Sequence, residues 1–270
     1  MKICFADLLR AKKINQMNKL STVIICKNEE KNIRQCLESV KWSDEIIIYD
    51  SGSTDDTLNI CKEYNCIIFI NQEWTGFGNA KNDAVSKATN DWIFSIDADE
   101  VVTDELKQKL LEILNNKHNH YAFRVKRNSF FMGKMVRYSG WQRDYPLRFF
   151  NKNYARFNLK KVHESVETKE KIITINEILL HYTYPDIKTY INKMTHYSQL
   201  GSEQAFAKGK KSNILKALFS GIAKFVKMYI INFGFLDGNI GFVLAVNSAY
   251  GVYLKYIYLW EKHLVNKKAR

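Results

Sequence analysis

Four short apolar runs in the N-terminal half of the chain predict the strands of a buried sheet. They are Leu20–Cys26, Glu45–Asp50, Cys66–Asn71 and Trp92–Asp97. Runs of β-branched and other apolar residues at this length are typical of parallel strands that are covered on both faces.

Helical patterns lie between these runs. Ile33, Leu37 and Val40 recur at helical spacing, and a second helix is predicted over Thr54–Tyr64 because Ser53 to Asp56 suit a cap and a first turn. A third is predicted over Gly78–Thr89. Alternating strands and helices indicate a doubly wound α/β sheet, in which ligands bind beyond the carboxyl ends of the strands.

The C-terminal part has a different pattern. Residues Asn213–Phe235 predict an amphipathic helix with Lys216, Lys224 and Lys227 on one face. Such a helix either lies in a membrane interface or packs on the catalytic domain, and the sequence leaves both open. The uncharged stretch Gly238–Leu254 is shorter than the roughly 20 apolar residues that a membrane span needs, so no span is predicted.

Charge is distributed unevenly along the 270 residues, whose formal net charge is +13. Residues 1–120 hold 15 Lys and Arg against 19 Asp and Glu, whereas residues 121–270 hold 26 against 9. The basic half is expected to face something anionic. No nucleic-acid-binding motif is found, so an anionic membrane surface with a phosphorylated glycolipid is favoured over nucleic acid.

Five cysteines occur without a CxxC pair, which indicates reduced cytosolic thiols, and Cys26 and Cys36 are expected in the core. Residues 1–16 lack the apolar region of a secretory signal. They are predicted to be a dispensable N-terminal extension.

Polar residues follow three of the predicted strands. Asp97-Ala98-Asp99 ends the fourth run, Lys27 to Glu30 follow the first, and Asp50 to Asp55 follow the second. Carboxylates paired in this way, together with a substrate diphosphate, supply the oxygen ligands that Mg²⁺ or Mn²⁺ prefers. Three acidic strand ends at one crevice indicate a nucleotide site, although Asp55 and Asp56 are interpreted as helix caps.

These segments carry a resemblance to a known family. STVIICKNEE, DSGSTDDT, NAKNDA and SIDADE, in this order, resemble the family 2 inverting glycosyltransferases of the GT-A fold. GWQRDYPLRFF, VHESVE and FLDGNIGF resemble its lipopolysaccharide-core β-1,4-glucosyltransferase branch.

The resemblance implies a domain organisation: a GT-A catalytic domain over residues 17–185, with a mixed sheet flanked by helices. Residues 17–115 would form its nucleotide-sugar half and residues 116–185 its acceptor half. Residues 186–270 would form a helical region that associates with the membrane.

The resemblance also implies roles in donor binding. Glu29 and Asp50 would contact the nucleoside, and Lys81 would approach the diphosphate. Asp97 would hold the ribose or the sugar, and Asp99 would ligate a Mg²⁺ or Mn²⁺ ion that bridges the phosphates.

An inverting transfer needs a base that deprotonates the acceptor hydroxyl, and two carboxylates are candidates. Glu164 occupies the position that the resemblance favours, with Asp144 as the rival. The alternative for Glu164 is a surface salt bridge with Lys160 or Lys161, and the neighbouring His163 is placed among the substrate-binding residues.

Two further residues have open interpretations. Arg148 would lie near the donor phosphates or the acceptor, or would only pack its stem on aromatic neighbours. His181 would be a further ligand of the metal or the diphosphate, or a structural residue at a strand end.

Together these features predict a cytoplasmic enzyme on the inner face of the cytoplasmic membrane. It would transfer a hexose, with glucose as the family's implication, from a UDP-sugar to a lipopolysaccharide or lipooligosaccharide inner-core acceptor. The alternatives are a polyprenyl-phosphate glycosyltransferase and a non-catalytic binder of anionic membranes or nucleic acid. A nucleotidyltransferase is disfavoured because Lys27 to Glu30 stand where its glycine-rich loop would be.

Overall fold

The structure is a computed structural model that describes residues 18–73, 76–116, 118–159 and 164–268, with side chains up to residue 265. The chain divides into two compact units. The first contains the described residues up to Arg127 together with Tyr145–His181, and the second contains Asn128–Asp144 and the chain from Tyr182 onward. The N-terminal extension predicted over residues 1–16 lies outside the described residues.

The first unit is built from alternating strands and helices. Its parallel strands are β1 (Leu20–Cys26), β2 (Glu45–Asp50), β3 (Ile67–Ile70) and β4 (Trp92–Asp97). The helices between them are α1 (Ile33–Val40), α2 (Thr57–Glu63) and α3 (Phe77–Ser86). The remaining elements are β5 (Glu100–Val102), α4 (Asp104–Asn115), β6 (Ala122–Phe131), β8 (Leu147–Asn151), β9 (Ala155–Phe157), β10 (Val166–Thr168) and β11 (Ile172–Tyr184). The ends of β6 from Asn128 and of β11 from Tyr182 belong to the second unit.

The sheet is mixed. Its strand order is β3-β2-β1-β4-β8-β6-β11-β5, and β8 runs antiparallel to β4 with Phe94 opposite Phe149. The pair β9–β10 forms a separate two-stranded sheet. The predicted mixed α/β sheet flanked by helices is therefore confirmed.

Buried side chains cover both faces of this sheet, as the continuous apolar runs predicted. One core cluster packs α1 and α4 against residues such as Ile24, Ile48 and Phe94, and the other packs α3 against Val23 and Ile93. Cys26 and Cys36 are buried free thiols, which confirms their predicted place in the core.

The second unit is mainly helical. It contains β7 (Lys134–Met135), paired with the end of β6, and the helices α5 (Ile187–Ala207), α6 (Ile214–Phe225) and α7 (Gly238–Lys268). A π-helical turn (Val226–Ile231) and a 3-10 turn (Gly234–Asp237) connect α6 to α7. Phe131, Tyr190, Met228 and Leu244 form its core. These units are defined by contacts, and the predicted functional domain boundaries stay a prediction.

Three predicted helices end or begin elsewhere than the sequence indicated. The one predicted over Gly78–Thr89 spans Phe77–Ser86. The helix predicted from Thr54 begins at Thr57, because the Thr54 amide donates to the Asn28 side chain at 2.8 Å and Asp55 accepts from the Thr57 amide at 3.1 Å. The predicted cap at Asp56 makes no side-chain hydrogen bond to the helix backbone, so Asp55 serves the helix start instead.

The helix predicted over Asn213–Phe235 begins as expected, with the Asn213 side chain accepting from the Lys216 amide at 2.8 Å. It does not run unbroken to Phe235, because Phe233 adopts a left-handed conformation (φ 57°). The following α7 is longer than the uncharged stretch. Among the described residues, one helical segment, Gly234–Val265, is long and apolar enough by length and composition to cross a membrane.

Candidate active site

The carboxyl ends of β1, β2 and β4 lie side by side at one edge of the sheet. In the parallel register Cys26 is opposite Asp50, and Ile25 is opposite Asp97. The loops that leave these strands therefore start from the same edge, where ligands bind in open α/β sheets.

Asp50 is fully buried and shapes the turn after β2. One of its carboxylate oxygens accepts the amides of Gly52 and Ser53, each at 2.8 Å, and the other accepts the Ser53 hydroxyl. Gly52 has a φ of 89°, a conformation that glycine adopts without strain. Contact between Asp50 and a nucleobase stays a prediction.

Glu29 joins the loop after β1 to the start of α2. Its amide donates to the Thr57 hydroxyl at 2.8 Å, and its carboxylate accepts the Asn32 side-chain amide at 2.8 Å. Glu29 is half-buried, and its predicted contact with the nucleoside stays a prediction.

Beyond the end of β4 lies a group of paired charges, here called the ion cluster: Asp97, Glu100, Lys81, Arg127 and Arg148. Asp97 Oδ1 accepts Lys81 Nζ at 2.9 Å, and Oδ2 accepts a hydrogen bond from Arg148. Burial opposes ionisation of Asp97, but Arg148 and Lys81 outweigh it, so the pKa of Asp97 lies well below its usual range.

Glu100 holds the two arginines of the ion cluster together. Its side chain is completely buried, and Oε1 accepts Arg148 Nη2 at 2.6 Å and Arg127 Nη1 at 2.7 Å. Its other oxygen accepts the Asp97 amide at 2.9 Å. A buried carboxylate is tolerated only when it is paired in this way.

The sequence analysis assigned no role to Glu100 or Arg127. A carboxylate that opens the otherwise apolar strand Glu100–Val102 is a signal that could have identified Glu100. Arg127 gives no comparable signal, because β6 also carries the half-buried polar residues Lys126 and Asn128 beside it.

Arg148 lies inside the ion cluster, with only 4% of its surface exposed. Burial would lower its pKa, but Asp97 and Glu100 outweigh this and raise it. Its Nε is buried and has no hydrogen-bond partner among the described residues. The guanidinium is engaged by carboxylates, so stem packing alone does not describe it. Contact with donor phosphates or acceptor stays a prediction.

Lys81 brings two predicted site carboxylates together. The residue is buried on α3, and its Nζ lies 2.9 Å from both Asp97 Oδ1 and Glu164 Oε1. Glu164, whose side chain is 16% exposed, is therefore paired with an interior lysine. Lys160, Lys161 and His163 lie outside the described residues.

The second aspartate of the Asp-x-Asp motif turns away from the ion cluster. Asp99 Oδ2 lies 3.4 Å from His181 Nε2, and His181 is opposite Glu100 in the β11–β5 pairing. Among the described residues, no group of three or more His, Cys, Asp and Glu side chains is arranged to hold a metal ion. Asp99 offers a carboxylate, the oxygen ligand that Mg²⁺ takes once or twice from a protein before phosphates and water complete its shell. Ligation of a metal ion by Asp99 and His181 stays a prediction.

Asp144, the alternative base, belongs to the second unit, where it follows the 3-10 turn Trp141–Arg143. Glu164 and the other predicted donor residues named above belong to the first unit.

Comparisons with known proteins identify relatives over most of the chain. The model of the family described as "Glycosyl transferase family 2" matches residues 21–170. An uncharacterized glycosyltransferase of Rickettsia typhi is 31% identical over 263 residues, which cover 93% of this chain and 90% of the relative. The lipopolysaccharide core biosynthesis glycosyltransferase LpsC of Rhizobium meliloti is 30% identical over 257 residues, covering 93% and 94%.

Solved structures show more distant likenesses. TarS of Staphylococcus aureus, residues 1–349 in complex with UDP, matches with a TM-score of 0.48 and 14% identity over 92% of each chain. Glucosyl-3-phosphoglycerate synthase of Mycobacterium tuberculosis, in complex with Mn²⁺, UDP and glucosyl-3-phosphoglycerate, matches with a TM-score of 0.37 and 21% identity. That match covers 47% of this chain and 49% of the synthase.

Proposed function

The chain belongs to glycosyl transferase family 2 and is a glycosyltransferase, and from this premise we propose its reaction. We propose that it moves a hexose, with glucose as the leading candidate, from a UDP-sugar to a lipopolysaccharide or lipooligosaccharide inner-core acceptor, with inversion at the anomeric carbon. The similarity to LpsC along 94% of that relative supports an acceptor of this class.

One observation carries the proposed chemistry. Lys81 Nζ lies 2.9 Å from Asp97 on one side and from Glu164 on the other. An inverting transfer needs a donor-binding group and a base on either side of the reacting carbon, within hydrogen-bond reach of their substrates. The arrangement supports Asp97 as the group that holds the donor sugar and Glu164 as the base that accepts the acceptor's hydroxyl proton.

Lys81 would gain a third partner when the donor binds. Its ammonium group now neutralises two carboxylates. A diphosphate at this edge of the sheet would compete for the same positive charge. We infer that donor binding draws Lys81 towards the phosphates and leaves the Glu164 carboxylate free to accept a proton.

The ion cluster would orient these groups. Glu100 and Arg148 are both buried. Glu100 accepts the backbone amide of Asp97, and Arg148 donates to Asp97 Oδ2, so both fix the position of Asp97. A carboxylate that is held in place before the substrate arrives costs no reorganisation during the reaction.

Asp99 and His181 would hold the divalent ion, which is proposed to be Mg²⁺ or Mn²⁺. When bound, the ion supplies positive charge that stabilises the departing diphosphate. The Nε2-to-Oδ2 separation of 3.4 Å supports this pair as protein ligands.

A glycolipid acceptor implies that the enzyme acts at a membrane. We propose that the protein acts in the cytoplasm, peripherally on the inner face of the cytoplasmic membrane. The basic character of the C-terminal region supports this location, because residues 182–270 contain 13 Lys and Arg against four Asp and Glu.

Calorimetric titration with UDP, with and without Mn²⁺, tests the donor site. We expect Mn²⁺ to strengthen UDP binding by the wild type and this gain to disappear in Asp99→Ala. Asp91→Ala is the matched control, because Asp91 is an exposed aspartate just before the opposite end of β4. Absence of UDP binding by the wild type under every metal condition would refute the proposed donor.

A further inference from the structure

Five large apolar side chains stand exposed where α6 gives way to α7. They are Ile230, Ile231, Phe233, Phe235 and Leu236, here called the apolar tip, and each is between 44% and 63% exposed. Single exposed apolar residues are ordinary, but five within the seven positions 230–236 form a dense exposed apolar segment, and exposed apolar patches mark surfaces that bind a partner.

The backbone of the apolar tip packs closely against the rest of the second unit at Gly234. Gly234 is buried, and a Cβ at this position would come within 2.7 Å of the Met228 carbonyl oxygen and of Ser139 Oγ. Phe233 adopts its left-handed conformation directly before it. The turn thus buries its glycine and presents the two flanking phenylalanines to solvent, although phenylalanine is usually buried.

The nearest acidic residue is turned onto the backbone. The Asp237 carboxylate accepts the amide of Arg137 at 3.0 Å and the amide of Tyr138 at 2.9 Å. Its negative charge is therefore occupied within the unit. This matters because a free carboxylate beside the apolar tip would oppose contact with an anionic surface.

Lysines accompany the apolar tip. Residues 204–236 contain six lysines and no acidic residue. Lys216 and Lys227 are exposed, and Lys224 is partly buried between them along the same helical stretch. Apolar side chains beside lysines are typical of segments that lie in the interface of an anionic bilayer.

Helix α6 repeats this arrangement. Its small residues Ala217 and Gly221 are buried, and a Cβ at Gly221 would lie 3.2 Å from the Ala249 carbonyl oxygen of α7. The larger Leu215 and Phe219 remain 64% and 68% exposed. The small residues therefore make the helix contact and leave the apolar face uncovered. The structure thus shows α6 packed on α7, and contact of its exposed face with a membrane stays a prediction.

We propose that the apolar tip inserts into the interfacial region of an anionic lipid bilayer while Lys216, Lys224 and Lys227 contact the lipid headgroups. The partner is a membrane rather than a second copy of the chain, because lysines are the only charged residues of 204–236 and two such surfaces repel each other. The apolar tip would be the membrane contact of the proposed transferase, and this inference rests on the proposed function. Vesicle binding and UDP binding are nevertheless measured separately.

Flotation of the full chain with vesicles tests the proposal. Wild type is compared on phosphatidylcholine vesicles and on vesicles with about 30% phosphatidylglycerol, and we expect binding mainly to the second. In the double variant Ile231→Ser/Phe233→Asn we expect at least about tenfold weaker binding, because two apolar side chains lose their transfer into the interface. Asparagine tolerates the left-handed conformation, so the turn is retained.

Two control variants sharpen the result. Ile67→Ser/Ile172→Ser removes two exposed apolar side chains from the first unit, which are 44% and 47% exposed, and should leave vesicle binding unchanged. Lys224→Gln/Lys227→Gln should weaken binding to anionic vesicles by about fivefold per lysine and leave binding to neutral vesicles unchanged.

Two binding results would overturn the proposal: no binding of the wild type to anionic vesicles, or equal binding by the Ile231→Ser/Phe233→Asn variant. Bound protein that resists alkaline carbonate extraction would indicate a spanning helix instead. A wild-type dimer that the same variant converts to a monomer would indicate a second copy as the partner. Titration with UDP separates the two hypotheses. A chain that binds vesicles but not UDP would refute the proposed donor and leave the membrane contact intact.

Discussion

In the first unit, charged side chains turn inward and pair, whereas in the second unit lysines stand beside exposed apolar residues. Asp97 and Glu100 meet Lys81 and Arg148 in an interior where each charge has more than one partner. Around α6, six lysines occur in a stretch without an acidic residue. Paired interior charge fixes geometry, and unpaired surface charge attracts a partner over a distance. The comparison supports the proposed chemistry in the first unit and the proposed membrane contact in the second.

Removing the central arginine should break the inward pairing most severely. Arg148→Met leaves Asp97 and the buried Glu100 without this partner, and losing one partner of a buried ion pair costs about 3–5 kcal/mol. Urea unfolding should show this loss, and transfer should fall with it. Arg34→Met is the control, because Arg34 pairs with Glu63 on the surface with both side chains more than half exposed, and its stability should not change measurably. Equal stability of Arg148→Met and wild type would refute a structural role for the cluster.

Removing the proposed base should affect the reaction more than the fold. Glu164→Gln keeps the side-chain shape but cannot accept the acceptor proton, so kcat should fall by about 10²–10⁴-fold. UDP affinity should stay near the wild-type value, as calorimetry would show. Asp144→Asn is the companion variant. A large loss of kcat there, with normal turnover by Glu164→Gln, would transfer the role to Asp144.

Acid unfolding gives a smaller effect on the same pairing. The pKa of Asp97 in the folded chain lies below its unfolded value of about 3.9. The stabilisation is therefore complete above about pH 4 and is lost as the pH falls through the lower folded pKa. In Lys81→Met this pKa should rise towards the unfolded value, so less stability should be lost below about pH 4 than in the wild type. Lys87→Met, at the end of the same helix, is the control, and identical pH profiles for all three proteins would contradict the prediction.

The sequence predicts best where one strong local signal decides the structure. The bounds of β1, β2 and β4 match their apolar runs. A strand that is buried on both faces needs apolar side chains at nearly every position, so the run itself marks the strand. The start of α2 was wrong because Asn28, in another loop, engages Thr54.

The ion cluster could not be predicted in the same way. Arg148 reaches Asp97 because β8 lies antiparallel to β4, and such long-range pairing leaves no local pattern. Asp97 and Asp99 look equivalent in the sequence, yet one meets cations and the other meets His181. The predicted roles in substrate binding depend on contacts with the donor and the acceptor, and they stay predictions until binding is measured.

The hydrogen bonds of Asp237 also constrain when the segment around Arg137 and Tyr138 can fold during synthesis. Their partners, Arg137 and Tyr138, precede Asp237 by 100 and 99 residues. At a translation rate of about 5–20 residues per second, these amides emerge roughly 5–20 s before the carboxylate that they bind. During that interval the nascent segment that carries the Trp141–Arg143 turn lacks this support. A chain that ends before residue 237 would lack both of these hydrogen bonds to the segment.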